Sequence, residues 1–325
     1  MKHTIGILGA SDIAYKRFLP ALEKSGDIGF AGIASRDPAR CTRYTERFGG
    51  RIYPDYEALL RDPDIDCVYL PLPPALHAVW GEKVLRAGKH LMMEKPFSTD
   101  AGETRRLLSL AEEQGLAVHE NYMFLYHRQL KRVRELMEDG TLGTVRMIRT
   151  AFTFPFRGAE DFRYQKALGG GALLDCGGYP LLLASVLLGE RACLMWAGLT
   201  ESAAYQVDTA GSAVLRNDAG LTAHVFFGMD DTYRCELEVW GSRASLTADR
   251  IFTAPAELDT VLRLRVGNEE QLLLTGADDQ FFNSICTFAA LMEDPALRRQ
   301  RSEEILRQSL LLSAVRQYEE TKRRI

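Results

Sequence analysis

The sequence predicts an α/β chain in two parts. Residues 1–121 read as a doubly wound parallel sheet. Residues 122–325 read as an α+β region with a large open, mostly antiparallel sheet. Three observations carry this. Up to Glu120, short buried apolar runs alternate with helical patterns, the βαβαβ order that builds a parallel sheet covered by helices. After Glu120 most of the apolar runs are strands joined by turns, which favours antiparallel neighbours. The first strand ends in GASDIA, Gly9–Ala14, close to a glycine-rich turn that opens a helix.

In the first part, Thr4–Leu8, Ile28–Ala34, Cys67–Leu70, His90–Met93 and Ala117–Glu120 read as strands, with a short one at Ile52–Tyr53. Ile13–Lys24 reads as a helix with Ile13, Phe18, Leu19 and Leu22 on its inner side. Helices follow at Arg40–Phe48, Asp55–Leu60, Ala75–Ala87 and Thr99–Gln114, and Gly88 suits the end of the Ala75 helix. In the second part, Met123–Asp139 is predicted as one long helix, Val145–Phe154 as a strand and Ala172–Leu188 as a helix. Strands follow at Cys193–Leu199, Val207–Leu215, Leu221–Phe227, Arg234–Trp240 and Ala244–Ala248, with Asn217–Gly220 as a hairpin turn. Leu262–Val266 and Gln271–Leu274 add two more, and helices near Asp279–Glu293 and Glu303–Lys322 close the chain. Lys322-Arg323-Arg324 places cations where a helix end favours them.

The 325 residues, 46% hydrophobic and 26% charged, have the balance of a soluble globular protein. A net charge of −4 gives no electrostatic reason to expect nucleic acid or an anionic membrane as partner. Six cysteines occur without a Cys-x-x-Cys pair, which suits reduced thiols in the cytoplasm better than disulfides or a metal site. The apolar run Ile5–Ala10 is too short for a secretory signal, and Leu181–Leu188 falls short of the roughly 20 residues that span a bilayer. No metal is expected; His90 and His119 read as strand-end or core residues.

Glycines serve three purposes in a dinucleotide turn: the tight turn, backbone approach to the pyrophosphate, and close packing of helix on strand. Gly9 supplies the turn and Ala14 the packing position. Ser11 stands at the phosphate position, where a short hydroxyl still permits approach. Asp12 and Ile13 open the helix, whose N-terminal N–H groups favour an anion. An ordinary strand-to-helix turn is the competing reading. The next strand ends Ala34-Ser35-Arg36 where an NAD site usually has an acidic residue for the ribose. A hydroxyl followed by a guanidinium suits a 2′-phosphate, pointing to NADP(H) over NAD(H). Arg36 as a solvated loop charge, or Asp37 at the ribose, are the alternatives.

Ala87-Gly88-Lys89-His90 followed by Glu94-Lys95-Pro96, with Pro71-Leu72-Pro73-Pro74-Ala75-Leu76-His77 upstream, resembles the Gfo/Idh/MocA oxidoreductases. The resemblance continues through Phe162-Arg163-Tyr164 and the stretch Gly169–Tyr179. It implies a Rossmann dinucleotide-binding domain at 1–121 and a substrate-binding and oligomerisation domain at 122–325. It places Leu72, Pro73, His77, Glu94 and Lys95 near the cofactor, His77 with a structural role as the alternative. Pro96 is expected to follow a cis peptide, and Arg163 to contact the nicotinamide side or substrate.

Reduction of a ketone needs a hydride donor, a proton donor and a group that stabilises the developing alkoxide. Lys95 follows a strand of the cofactor domain, near the carboxyl edge where ligands bind, and its ammonium can stabilise that charge. Tyr179, expected from the second domain, is the acid–base candidate: a nearby lysine favours its phenolate and brings its ordinary pKa near 10 closer to neutrality. The family often has histidine there. Asp175, four residues earlier, either orients Lys95 or contacts substrate, or serves as a cap or salt-bridge partner.

The wording Glu120–His127, with Tyr179 and Ser35-Arg36, looks like the 3-ketosugar reductases that act on nucleotide-linked sugars with NADPH. Arg128, Lys131, Arg132 and Arg157 are candidates for a diphosphate, or solvated charges. A free-sugar or diol dehydrogenase, and a non-catalytic NADP-binding sensor, are the alternatives. A homodimer or homotetramer is expected through an apolar face of the second sheet carrying Val225, Phe227, Leu237, Val239 and Trp240.

Overall fold

The computed structural model describes residues 2–322, with side chains to residue 318, so the basic end at Lys322-Arg323-Arg324 lies outside the described side chains. The chain divides into two compact units. The first runs to Tyr122 and takes in Phe281–Ser309; the second is Met123–Gln280 with the chain from Leu310. A contiguous split at residue 121 departs from this division, because the segment after Gln280 packs with the first unit. It carries buried Phe281, Ile285, Phe288 and Met292, and its Ser284 and Ser309 hydrogen-bond to His119 and Thr104.

In the first unit, the strands and helices run β1 (His3–Leu8), α1 (Leu19–Leu22), β2 (Ile28–Ala34), α2 (Thr42–Phe48), β3 (Arg51–Tyr53), α3 (Tyr56–Arg61), β4 (Cys67–Leu70), α4 (His77–Arg86), β5 (His90–Met93), α5 (Ala101–Glu113) and β6 (Val118–Glu120). The strands pair in parallel in the order β3-β2-β1-β4-β5-β6. Ile5, Ile7, Leu8, Val68, Leu70 and Leu91 are buried, as a sheet covered on both faces requires. The strand order reverses between β1 and β4, and that switch point is where such sheets bind ligands, beyond the strands' carboxyl ends.

The second unit contains α6 (Arg128–Glu138), β7 (Val145–Thr153), α7 (Gly178–Leu188), β8 (Cys193–Ser202), β9 (Val207–Arg216), β10 (Thr222–Gly228), β11 (Arg234–Gly241), β12 (Ala244–Ala248), β13 (Thr260–Val266) and β14 (Glu269–Gly276). They form a sheet ordered β14-β13-β12-β11-β7-β10-β9-β8, antiparallel except for the β7–β10 pair among the described residues. Two helices, α8 (Gln280–Glu293) and α9 (Pro295–Lys322), end the chain.

Three local expectations change. The predicted helix Met123–Asp139 is broken: a 3-10 turn, Met123–Tyr126, precedes α6. Between them His127 is extended, and its Nδ1 accepts the Gln129 N–H at 3.1 Å to cap α6. The helices predicted at Ile13–Lys24 and Ala172–Leu188 each contain a π-turn, Ala14–Phe18 and Leu173–Gly177. Pro20 and Pro180 follow just after; each lacks the N–H for the carbonyl four residues back and crowds it, so the preceding turn widens.

The sheet faces also need correction. Val225, Phe227, Leu237 and Val239 are buried, on the face that α7 covers within the same unit. Strand alternation puts their neighbours His224, Phe226, Glu238 and Trp240 on the other face, where Phe226 and Trp240 are exposed. Of the five residues assigned to the open face, Trp240 alone lies there. By length and composition the run Lys166–Leu188 could cross a membrane, yet 83% of its most apolar window is buried inside the protein.

Candidate active site

The first unit gathers four loops at the carboxyl ends of β1, β2, β4 and β5. After β1, the Gly9 N–H reaches Ala34 O at 2.9 Å and Gly9 takes φ +116. A Cβ there would stand 2.7 Å from Leu72 Cδ2, so the turn accepts only glycine and packs beneath the loop after β4. Half-buried Ser11 caps the following helix, its Oγ accepting the Ala14 N–H at 3.3 Å. Asp12 is exposed and paired with Lys16 at 2.7 Å and Arg43 at 2.9 Å; those hydrogen bonds hold its carboxyl below the ordinary value. The Asp12 carboxylate is thus occupied on its own surface, while Ile13 lies half-buried beside it.

After β2, Ser35 is buried and Arg36 exposed. Asp37 caps the next turn, its carboxylate accepting the Ala39 N–H at 3.1 Å. Sequence reasoning missed Arg40, which donates to Ala10 O at 3.0 Å and ties this loop to the glycine turn. Its signal was its position four residues past Arg36, on the same loop-to-helix start.

In the loops after β4 and β5, Leu72, Pro73, Glu94 and Lys95 are all half-buried, and the Lys95–Pro96 bond is cis, as the resemblance implied. His77 was expected near the cofactor. Its ring is fully buried between two carbonyls, Nδ1 to Pro96 O and Nε2 to Leu72 O, both at 2.7 Å. Burial lowers its pKa to about 4, while the two carbonyls, both hydrogen-bond acceptors, pull it the other way. His77 clamps the two loops together and has no surface to offer a ligand. Glu94 Oε1 accepts from the Tyr69 hydroxyl at 2.6 Å and from Asn121 Nδ2 at 2.7 Å, while burial pushes its carboxyl up. Glu94 therefore faces the protein as much as any cofactor.

In the second unit the site residues lie along the π-turn and the start of α7. Tyr179 is 5% exposed, its ring 5.1 Å from Phe152 and 5.8 Å from both Phe124 and Phe252. Asp175 accepts from Arg163 Nε at 2.7 Å, and Arg163 also pairs with Asp161 at 3.0 Å. Burial alone would lower the guanidinium's pKa, but the two carboxylates hold it above its ordinary value. Arg163 is thus already charge-matched, and of the two readings of Asp175 the salt bridge is visible. Gly171, at φ +120, would drive a Cβ to 2.4 Å from Asp208 Oδ1, whose Oδ2 accepts the Leu173 N–H. Arg128 pairs with Asp278 and Arg132 with Glu135, while Arg157 lies over the Phe154 ring and Lys131 is exposed.

The family model described as "Oxidoreductase family, NAD-binding Rossmann fold" matches residues 3–122, and "GFO/IDH/MocA C-terminal domain" matches residues 130–247. A dTDP-3,4-didehydro-2,6-dideoxy-alpha-D-glucose 3-reductase from Actinomadura kijaniata is 41% identical over 312 residues, 96% of this chain and 94% of the relative. A D-xylose 1-dehydrogenase (NADP(+)) from Haloferax volcanii is 33% identical over 313 residues, 93% of this chain and 94% of that one. The crystal structure of a 3-ketoreductase from Actinomadura kijaniata with NADP and TDP-benzene superposes with a TM-score of 0.95 at 40% identity, covering 98% of each chain. That 3-ketoreductase has also been solved with one tyrosine changed to phenylalanine and one lysine changed to alanine or glutamate. Those two positions are as far apart in its chain as Lys95 and Tyr179 are here.

Proposed function

The chain belongs to the Gfo/Idh/MocA oxidoreductase family, and on that premise we propose that it is an NADP(H)-dependent reductase of the C-3 carbonyl of a nucleotide-linked ketosugar. The observation that carries the substrate is the end-to-end likeness to the dTDP-sugar 3-reductase, with lysine and tyrosine at a matching separation. The residues present fit the cofactor. The cradle at Gly9 would be filled by any Cβ, the helix behind Ser11 offers N–H groups, and Ser35 and Arg36 suit a 2′-phosphate.

When bound, the nicotinamide supplies the hydride that adds to the carbonyl carbon. As the C=O electron pair moves onto oxygen, the Lys95 ammonium offsets the growing negative charge. The Tyr179 hydroxyl gives its proton to that oxygen, and solvent restores it. Asp175, bonded to Arg163, holds the turn from which Tyr179 projects and is assigned a positioning role. The first unit is assigned cofactor binding, the second substrate binding and assembly.

A second reading, a free-sugar dehydrogenase, is favoured by the likeness to the NADP-linked D-xylose enzyme. Fluorescence titration with NADPH and NADH, followed by turnover of a dTDP-linked 3-ketosugar and of D-xylose, separates the two. Tight NADPH binding and turnover of the nucleotide sugar are expected. NADH preference, or oxidation of D-xylose with an inert nucleotide sugar, overturns the proposal.

We also propose a cytoplasmic homodimer or homotetramer joined through the open sheet face, where Trp196, Phe226 and Trp240 are exposed. Light scattering at micromolar concentration should return two or four chain masses; a monomer mass contradicts it.

A further inference from the structure

Behind Lys95 a line of buried polar side chains converges on Glu94. His119, in the middle of β6, and Ser284, on α8, are fully buried with Nε2 and Oγ 2.9 Å apart. Ser284 Oγ donates to Asn121 Oδ1 at 2.8 Å, and Asn121 Nδ2 donates to Glu94 Oε1 at 2.7 Å. The Tyr69 hydroxyl, its ring stacked 3.8 Å from Phe18, donates to the same carboxylate oxygen.

Each neighbour dictates the direction of the next bond. A carboxylate only accepts, so Asn121 must meet it with its amide N–H and present its carbonyl to Ser284. The serine hydrogen is then committed to Asn121, and the serine oxygen accepts from His119, whose Nε2 must carry a hydrogen. Burial holds His119 well below its ordinary pKa, which leaves a neutral ring with one hydrogen to give.

We propose that His119, Ser284 and Asn121 form a one-way hydrogen-bond relay that keeps Glu94 ionised and oriented beside Lys95. Ser284, far downstream in the chain, is then a positioning residue for the reduction. This rests on the role given to Lys95 above. The other groups facing Glu94 fit the assignment. Glu120 accepts the Phe97 N–H at 2.7 Å, and burial pushes its carboxyl up to about 8, so at pH 7 it keeps its proton. Arg301 on α9 and Lys95 face Glu120 as cations. Glu94 Oε1 is left as the acceptor of two hydrogen bonds next to Lys95. Burial pushes its carboxyl up, while Tyr69, Asn121 and Lys95 hold it back, so cutting the relay lets it rise further.

The test compares Ser284→Ala, Ser284→Thr and Asn121→Asp with the wild-type full chain. Without cofactor, thermal unfolding is followed from pH 5 to pH 8. A carboxyl whose folded pKa exceeds its unfolded one loses stability as pH rises through that range. The Tm gap between Ser284→Ala and wild type should therefore widen with pH. Ser284→Thr, which keeps a hydroxyl, should narrow it, and Asn121→Asp, which sets a second carboxylate against Glu94, should widen it most. A gap independent of pH overturns the relay.

In the loaded enzyme the acidic limb of kcat/KM should move to higher pH in Ser284→Ala. Activity should fall about fivefold at pH 6 and less than about twofold at pH 8. A widening Tm gap with an unmoved limb overturns the positioning role. If Lys95→Ala also retains turnover, the fault lies in the reading of Lys95 and not in the relay.

Discussion

Tyr179→Phe should lower kcat by about a hundredfold to ten-thousandfold while leaving NADPH affinity within about twofold, the loss expected for a missing general acid. The substitution is gentle on the fold. The phenyl ring keeps the contacts with Phe124, Phe152 and Phe252, and the weak 3.9 Å contact from the hydroxyl to Met123 Sδ is lost. Stability should change by no more than about 1 kcal/mol. Lys95→Ala should cost about a hundredfold to a thousandfold in kcat, the scale for removing one group aimed at a developing oxyanion. Single-turnover kinetics at saturating NADPH, with calorimetric titration of NADPH binding, measures both. Wild-type turnover in both variants would remove the catalytic assignment of Lys95 and Tyr179.

Arg36→Ala should raise the Kd for NADPH by about tenfold to a hundredfold and leave that for NADH within about twofold. A charge-assisted hydrogen bond to phosphate contributes about 1.5–3 kcal/mol, and each 1.4 kcal/mol is tenfold in affinity. Because Arg36 is exposed, the NADPH advantage should also shrink as salt rises. Equal losses for the two cofactors would mean that the residue supports the loop and does not read the phosphate. Asp37 caps the next turn and Arg40 ties this loop to the Ala10 carbonyl, so neither is expected to change its place in this variant.

The parallel sheet was legible because each strand is a short apolar run bounded by turn residues, and Cys67–Leu70 and His90–Met93 fall where the pattern put them. The helix break at His127 was not, because the apolar spacing continues through it and the capping contact of its ring leaves no periodic trace. On the second sheet Val225, Phe226 and Phe227 are all apolar, so alternation alone does not say which face is covered; the helix packed against it decides. Within the site, Gly9 was readable, since a tight turn at a positive φ calls for glycine. For His77 the structural alternative is the one with visible contacts: its location in the loop is clear from the sequence, but the two carbonyls that enclose it are not. Ser284 had no signal at all, being joined to Glu94 through space by way of Asn121.

The return of Phe281–Ser309 to the first unit bears on the order in which the protein can be made. Its parallel sheet leaves the ribosome well before the residues that cover His119 and Thr104 are synthesised. At about 5–20 residues per second, the nascent sheet waits roughly 10–30 seconds for them. During that interval the buried histidine and the apolar surface meant for Ile285 and Phe288 stand open. Biogenesis of this chain is therefore a problem of waiting without aggregating, and a premature stop codon anywhere before α8 would damage the first unit as surely as the second.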